Sequence, residues 1–226
     1  MQPSLKLRSE IVLGVFVVLL AGGIALSLAT APQLAPQQLR VAADATLAAP
    51  GFVLTDTNSV TALGVSAPLA ERTRTQVVHV LYEAPDRVRE SGPGPNGQTL
   101  AVIVVGARHF SRSGGRWQEL APSPGLGAEA VQTVLSPLKA AAQAVKVERL
   151  GDSGYRFLPA DLESFVTTIL GTSPSQLSSL RLTATVGGDY LVGERVTGVL
   201  GHERLEVDIS LSAIGSAPPV SVPPTS

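Results

Sequence analysis

The chain has 226 residues, of which 44% are hydrophobic, 15% charged and 4% aromatic, with 17 basic side chains against 18 acidic ones and no cysteine. That length fits one domain, two at most, and the balanced charge argues against a nucleic-acid binder, which carries a basic excess. Without cysteine there is no disulfide framework, no Cys-ligated metal or Fe–S centre, no thiol nucleophile and no lipid-modified N-terminal cysteine.

Residues 1–10 carry Lys6 and Arg8, and the run Ile11 to Ala29 contains a single polar residue, Ser27. Nineteen helical residues at ~1.5 Å each would span roughly 28 Å, enough for a bilayer core. The basic start puts the N-terminus in the cytoplasm and everything after the run outside. A cleaved signal peptide shares these features, with Ser27-Leu28-Ala29 before Thr30 as the better cleavage site, although the run exceeds the usual h-region of about 7–15 residues. Either way, residues 11–29 are read as a transmembrane signal-anchor or signal peptide, and the working domain is extracytoplasmic.

Residues 30–36 form a Pro/Ala/Gln linker, and Gln37 to Leu47 fits a short helix closed by Pro50-Gly51. Alternating strand patterns then dominate: Gly51–Thr55, Arg74–Glu83, Arg87–Glu90, Thr99–Val105, Arg108–Arg112 and Arg116–Leu120. Val131, Val134, Leu135 and Leu138 share one face of a helix, and Ser136-Pro137 fits the start of a second one. Val145–Leu150 and Tyr155–Leu158 read as strands around Gly151-Asp152-Ser153-Gly154. The segment Asp161 to Leu170 reads as a helix capped by Asp161 and ended by Gly171, with Leu162, Phe165, Val166 and Ile169 on one face. Three more strands, Leu180–Val186, Tyr190–Leu200 and Glu203–Ile214, close residues 37–214. Residues 215–226 are a Pro/Ser-rich tail with no core pattern. About ten antiparallel strands with inserted helices make the chain α+β.

Several motifs point to chemistry that their context does not support. Gly151-Asp152-Ser153-Gly154 has the letters that surround the nucleophile of chymotrypsin-like serine proteases, with His79 and Asp86 in that order before it. However, the histidine lies in VVHVL and the aspartate follows only seven residues later, so a hairpin turn is the expected reading. Gly92, Gly94 and Gly97 match a dinucleotide fingerprint, but a strand follows where the pyrophosphate-binding helix is needed. His79, His109 and His202 have no ligand spacing. No catalytic residue, metal site or cofactor is expected. The cluster Arg72, Arg74, Arg87 and Arg89 reads as a solvated face or a contact with anionic lipid.

One ordered set of segments does carry a resemblance: Tyr82-Glu83-Ala84-Pro85-Asp86-Arg87-Val88-Arg89, Val102-Ile103-Val104-Val105-Gly106, Phe110 and Gly115-Arg116-Trp117. Ser136-Pro137-Leu138, the hairpin from Val145 to Leu158 and the closing Ile214-Gly215-Ser216-Ala217-Pro218 follow in the same order. Together they resemble the actinobacterial LppX/LprG-type lipid-carrier proteins, which are related in fold to LolA and LolB, over roughly residues 37–224. The resemblance implies a strongly curved antiparallel β-sheet, a half-barrel, with helices on its concave face and a hydrophobic cavity between. Preceded by the N-terminal transmembrane helix, this would make a membrane-anchored, non-catalytic lipid- or glycolipid-binding protein of the cell envelope. Its partners would be the lipid, the membrane and an envelope transporter or acceptor protein, with no nucleic acid. The residues expected to line the cavity are Val78, Val80, Val102, Val104, Trp117, Val131, Val134, Phe165 and Ile169. The family is generally anchored through a lipobox cysteine, which this chain lacks. The alternative is a sensor or interaction module of the same fold that binds a protein partner.

Overall fold

A computed structural model describes residues 34–94, 98–113, 115–123 and 125–224. The segment Ile11 to Ala29 lies outside the described residues, and no helix among those described is long and apolar enough to cross a membrane.

The chain opens with helix α1 (Leu34–Leu47) and strand β1 (Gly51–Ala62), followed by the single-turn helix α2 (Leu69–Arg72). Strands β2 (Thr73–Glu83), β3 (Arg87–Pro93), β4 (Thr99–Val105), β5 (Arg108–Ser113) and β6 (Arg116–Glu119) then run as successive hairpins. Helix α3 (Leu126–Ala142) follows, then β7 (Ala144–Leu150), β8 (Gly154–Pro159) and helix α4 (Leu162–Leu170). After a 3₁₀ turn (Pro174–Gln176), the chain ends in β9 (Leu177–Gly187), β10 (Tyr190–Leu200) and β11 (Glu203–Ser212). The α+β expectation is met by eleven strands rather than ten. All lie in one sheet in the order β6-β5-β4-β3-β2-β1-β11-β10-β9-β8-β7, and every neighbouring pair is antiparallel.

That order determines where the helices go. Counting antiparallel steps outward from β1, the two edge strands β6 and β7 run in the same direction. A hairpin cannot join two strands of the same direction; a crossover of a dozen or more residues is needed, usually a helix. Helix α3 is that crossover. It connects the two edge strands, and the sheet is unclosed among the described residues.

Helix α3 differs from the sequence expectation in one respect. No second helix begins at Pro137; one helix runs through it. The proline removes one helical hydrogen bond, yet Val131, Val134, Leu135 and Leu138 keep a continuous buried stripe across it, and packing holds both halves in line. Helix α4 forms as its pattern predicts: Asp161 accepts from the Ser164 backbone N–H at 2.8 Å, and Gly171 ends the helix at φ 60°.

The two sheet faces divide by residue parity. Phe52 and Leu54 of β1, Val78 and Val80 of β2, Val88 of β3, Val104 of β4 and Leu205, Val207, Ile209 and Leu211 of β11 join the buried faces of α1, α3 and α4 in one cluster. We call this the helix face. Helix α1 is tied to its surroundings at three points. Thr46 Oγ1 accepts from the Leu191 N–H at 2.9 Å, Tyr155 donates its hydroxyl to Gln38 at 3.0 Å, and Arg40 Nε donates to the Ala142 carbonyl at the end of α3 at 3.2 Å.

The opposite, outer face carries a second, smaller cluster of Ile103, Phe110 and Val220. Val220 belongs to the Pro/Ser-rich tail, for which the sequence shows no core pattern. The tail nevertheless folds back over the outer face. Gly215 N–H donates to the Gly51 carbonyl at 2.8 Å, Val220 N–H donates to Glu83 Oε2 at 2.7 Å, and Arg87 Nη1 donates to the Val220 carbonyl at 3.3 Å. Val220 is 1% exposed whereas Val222 is 43% exposed. Val220→Ala is therefore expected to lower unfolding free energy by about 1–3 kcal/mol, and Val222→Ala to change it by less than about 0.5 kcal/mol. Denaturant titration of both variants checks this; equal effects would mean that the strap does not stabilise the sheet.

Candidate ligand-binding face

Seven of the residues expected to line a cavity, Val78, Val80, Val104, Val131, Val134, Phe165 and Ile169, are buried in the helix-face cluster, and Val102 packs half-buried against it. Each strand contributes by alternation: Val78 and Val80 point to the same side of β2 as Val102 and Val104 do on β4. Phe165 of α4 meets Phe157 of β8 edge-on, with ring centroids 6.3 Å apart. Trp117 is placed elsewhere. It shares the outer face with Ile103 and Phe110, under the Arg112 guanidinium at 5.9 Å. In register, Trp117 opposes Arg112, and Phe110 opposes Ile103, so all of them point away from Val102 and Val104. The expected lining set is thus brought together except for Trp117.

The helix face also holds polar groups that the sequence pattern does not reveal. Glu194 of β10 is 3% exposed. Neither of its carboxylate oxygens has a hydrogen-bond partner, and burial alone pushes its pKa up to about 8. Its cross-strand neighbour is Ile209, whose other neighbour is Asp56 of β1, so one row of the sheet reads Glu194, Ile209, Asp56. Burial raises the Asp56 pKa to about 6, with the Asp208 charge adding to the shift. The nearby Asn58 amide pulls the other way without reaching hydrogen-bond geometry: Asp56 Oδ1 and Asn58 Nδ2 are both buried and unpartnered. Glu90 of β3 is also raised, first by burial and then by the Asp56 charge.

Several charges elsewhere on the sheet are paired. Arg195 reaches Asp208 and Glu206, Arg108 grips Glu119 at 2.8 Å, and Arg156 meets Glu148 at 2.7 Å.

Two features of the backbone, neither visible in the local sequence, place these groups inside. The sequence pattern ends strand β1 at Thr55, before the polar run Asp56–Ser59. The strand instead continues to Ala62 since β2 and β11 satisfy its backbone on both sides, and Asp56 and Asn58 then follow Phe52 and Leu54 onto the helix face. On β10, the register slips by one residue between Leu191 and Gly193. Leu191 and Glu194 both face the helices because of this bulge, whereas strict alternation from Leu191 would turn Glu194 outward.

The other motifs stay apart from this face. Ser153 lies in the β7–β8 turn, where Gly151 has φ 80° and the Ser153 carbonyl accepts from the Val186 N–H at 2.8 Å. His79 sits on β2, five strands from β8 in the sheet order, with its Nδ1 3.3 Å from the Thr55 hydroxyl, so no nucleophile–base pair forms. Gly92 and Gly94 belong to the β3–β4 hairpin, and residues 95–97 lie outside the described residues. No group of three or more His, Cys, Asp or Glu that could hold a metal occurs among the described residues. A groove of about 320 Å³ between α3 and α4 is lined by Glu129, Gln132, Thr133, Ser136, Lys139 and Thr168; it is polar and separate from the apolar cluster.

No family model and no curated protein sequence matches the chain. Among solved structures it is similar to the Mycobacterium tuberculosis lipoprotein LppX, with 18% identity and a TM-score of 0.48, covering 84% of this chain and 100% of that one. It is also similar to LprF from Mycobacterium bovis, with 15% identity and a TM-score of 0.47, covering 84% and 96%. A DUF1329 family protein from Desulfovibrio piger is more remote, with 10% identity and a TM-score of 0.30 over 80% of this chain and 92% of that one.

The Glu194 carboxyl makes stability depend on pH. Its folded pKa of about 8 lies above the ordinary glutamate value of 4.5, so between those limits the folded protein holds a proton that the unfolded chain has released. Stability therefore falls as pH rises from about 4.5 to about 8 and then levels off. The loss amounts to a few kcal/mol, at about 1.4 kcal/mol for each pH unit crossed. Glu194→Gln carries no such proton, and its stability relative to the parent should climb across that window. Denaturant unfolding at about pH 5, 6.5 and 8.5 measures the gap; a gap that does not widen with pH contradicts a buried, unpartnered carboxyl.

Proposed function

We propose that the chain is an extracytoplasmic lipid- or glycolipid-binding protein that shields acyl chains between its sheet and its helices, without catalysing a reaction. One observation carries this reading: a single apolar surface extends from β2 and β4 through β11 to β8 and is covered by helices rather than by a second sheet. An acyl chain inserted there gains roughly 0.8 kcal/mol per buried CH₂. Much of the cover is small. Helix α1 buries Ala35, Ala42 and Ala43 around Leu39, and the end of α3 buries Ala140, Ala141 and Ala142. The open edges at β6 and β7 among the described residues, joined through α3, offer a route by which a helix shift admits a ligand.

The strongly curved half-barrel and its cavity form part of this proposal, as do anchoring through residues 11–29 and a location at the cell membrane with the domain outside. The proposed lining is Val78, Val80, Val102, Val104, Val131, Val134, Phe165 and Ile169; Trp117, which points to the outer face, is not part of it.

Native mass spectrometry of the protein purified from its membrane fraction is expected to show a population heavier than the chain by the mass of one lipid, and organic extraction should return that lipid. Protein that stays at the bare chain mass, even after incubation with total membrane lipid, refutes the reading.

A further inference from the structure

We propose that Glu194 and Asn58 are hydrogen-bond donors for the ester carbonyl oxygens of an acyl lipid held against the helix face. The inference rests on the lipid-binding reading above and narrows its ligand class.

Both Glu194 oxygens, Asp56 Oδ1 and Asn58 Nδ2 are buried without partners. A buried polar group left unpaired is costly, and native structures seldom keep several of them on one surface. By register, the three side chains lie on one side of the sheet, on β1 and β10 with β11 between: Asn58 and Asp56 oppose Val207 and Ile209 of β11, which oppose Val196 and Glu194 of β10. Glu194 and Asp56 are two strand spacings apart, roughly 10 Å.

The chemistry of the donors selects the ligand. Glu194 has no cationic neighbour; burial is the sole influence on it and keeps it in the acid form, with one O–H to donate. Asn58 offers an amide N–H. Two donors in an apolar setting match uncharged acceptors, and an ester carbonyl is the acceptor that joins acyl chains to a lipid backbone. At Glu194 itself a cationic ligand is the poorer match, because it would have to be stripped of water and would find an acid rather than a carboxylate there. The backbone supplies an independent sign. The β10 bulge between Leu191 and Gly193 turns Glu194 inward, and bulges beside binding sites commonly serve to re-aim one side chain.

The test uses the full chain in detergent, incubated separately with oleyl oleate and with a hydrocarbon of the same carbon number; native mass spectrometry reads the bound fraction of each. The parent protein should prefer the ester. Glu194→Leu should reduce that preference about tenfold, since one lost donor to an otherwise unpaired group is worth on that order. Glu194→Gln keeps an N–H donor and should retain most of the preference, which separates loss of the donor from damage to the fold. A parent that binds both probes equally overturns the proposal while leaving the lipid-binding reading intact, and so does a Glu194→Leu variant with an unchanged preference. A Glu194→Gln variant as impaired as Glu194→Leu also overturns it. A parent that binds neither probe overturns the proposal together with the reading beneath it.

Discussion

The pairing of β1 with β11 is the constraint from which the rest of the architecture follows. It joins the first and last strands of a meander and moves the free edges to β6 and β7, in the middle of the sequence. With eleven antiparallel strands those edges point the same way, so the intervening chain cannot turn tightly and must cross over as a helix. Once α3 lies across one side of the sheet, α1 packs beside it, tied by Arg40 to the last turn of α3 and by Thr46 to β10. The side beneath them becomes the apolar one. The opposite side carries the ion pairs of Arg195, Arg108 and Arg156 and the C-terminal strap over Ile103 and Phe110.

The two faces treat ionisable groups in opposite ways. On the outer face, carboxylates are met by guanidinium groups, as Asp208 and Glu206 are by Arg195, and such exposed pairs contribute little to stability. Under the helices, Glu194 and Asp56 have apolar cross-strand neighbours and no counter-charge. A well-packed apolar side chain at such a position is commonly neutral or stabilising. Stability alone therefore does not account for carboxyls in this interior. Groups that break local folding rules without structural gain are where function is to be sought.

Much of this architecture can be read in the sequence, for local reasons. The α4 signature is self-contained, with an N-cap, an apolar stripe and a terminal glycine within eleven residues, and it forms as written. Most of the β2–β6 hairpins is legible too, because their turn residues and alternation agree, although β3 runs on from Glu90 to Pro93. Features decided by distant partners are not legible. The second half of β1 is polar and becomes strand only because β2 and β11 flank it. The strap is a Pro/Ser segment whose buried Val220 needs Glu83 and Arg87 to hold it. Trp117 misleads for the same kind of reason. A lone tryptophan in a hairpin can face either side, and the register of Arg112 with Trp117 sends it outward.

Glu194 is the most informative of these positions, because its direction is set by the backbone rather than by composition. Counted by twos from Leu191, the inward residues of β10 would be Gly193 and Arg195, and Glu194 would share the outer face with its neighbours' ion pairs. The extra residue at the bulge reverses the phase. Leu191 stays buried where its N–H meets Thr46 of α1, while beyond the slip Glu194 and Val196 turn inward and Arg195 reaches Asp208. The absence of a side chain at Gly193 fits this path, since a Cβ there would come within 3.3 Å of the Ile209 carbonyl. One strand thereby serves two registers: one docks α1, and the other sets an acid into the apolar face while keeping its arginine outside. Removing the bulge would exchange Glu194 and Arg195 between the faces, placing a charge that cannot shed its proton at neutral pH where a neutral acid now sits. The bulge is therefore what sets an inward-facing carboxyl into an otherwise apolar surface.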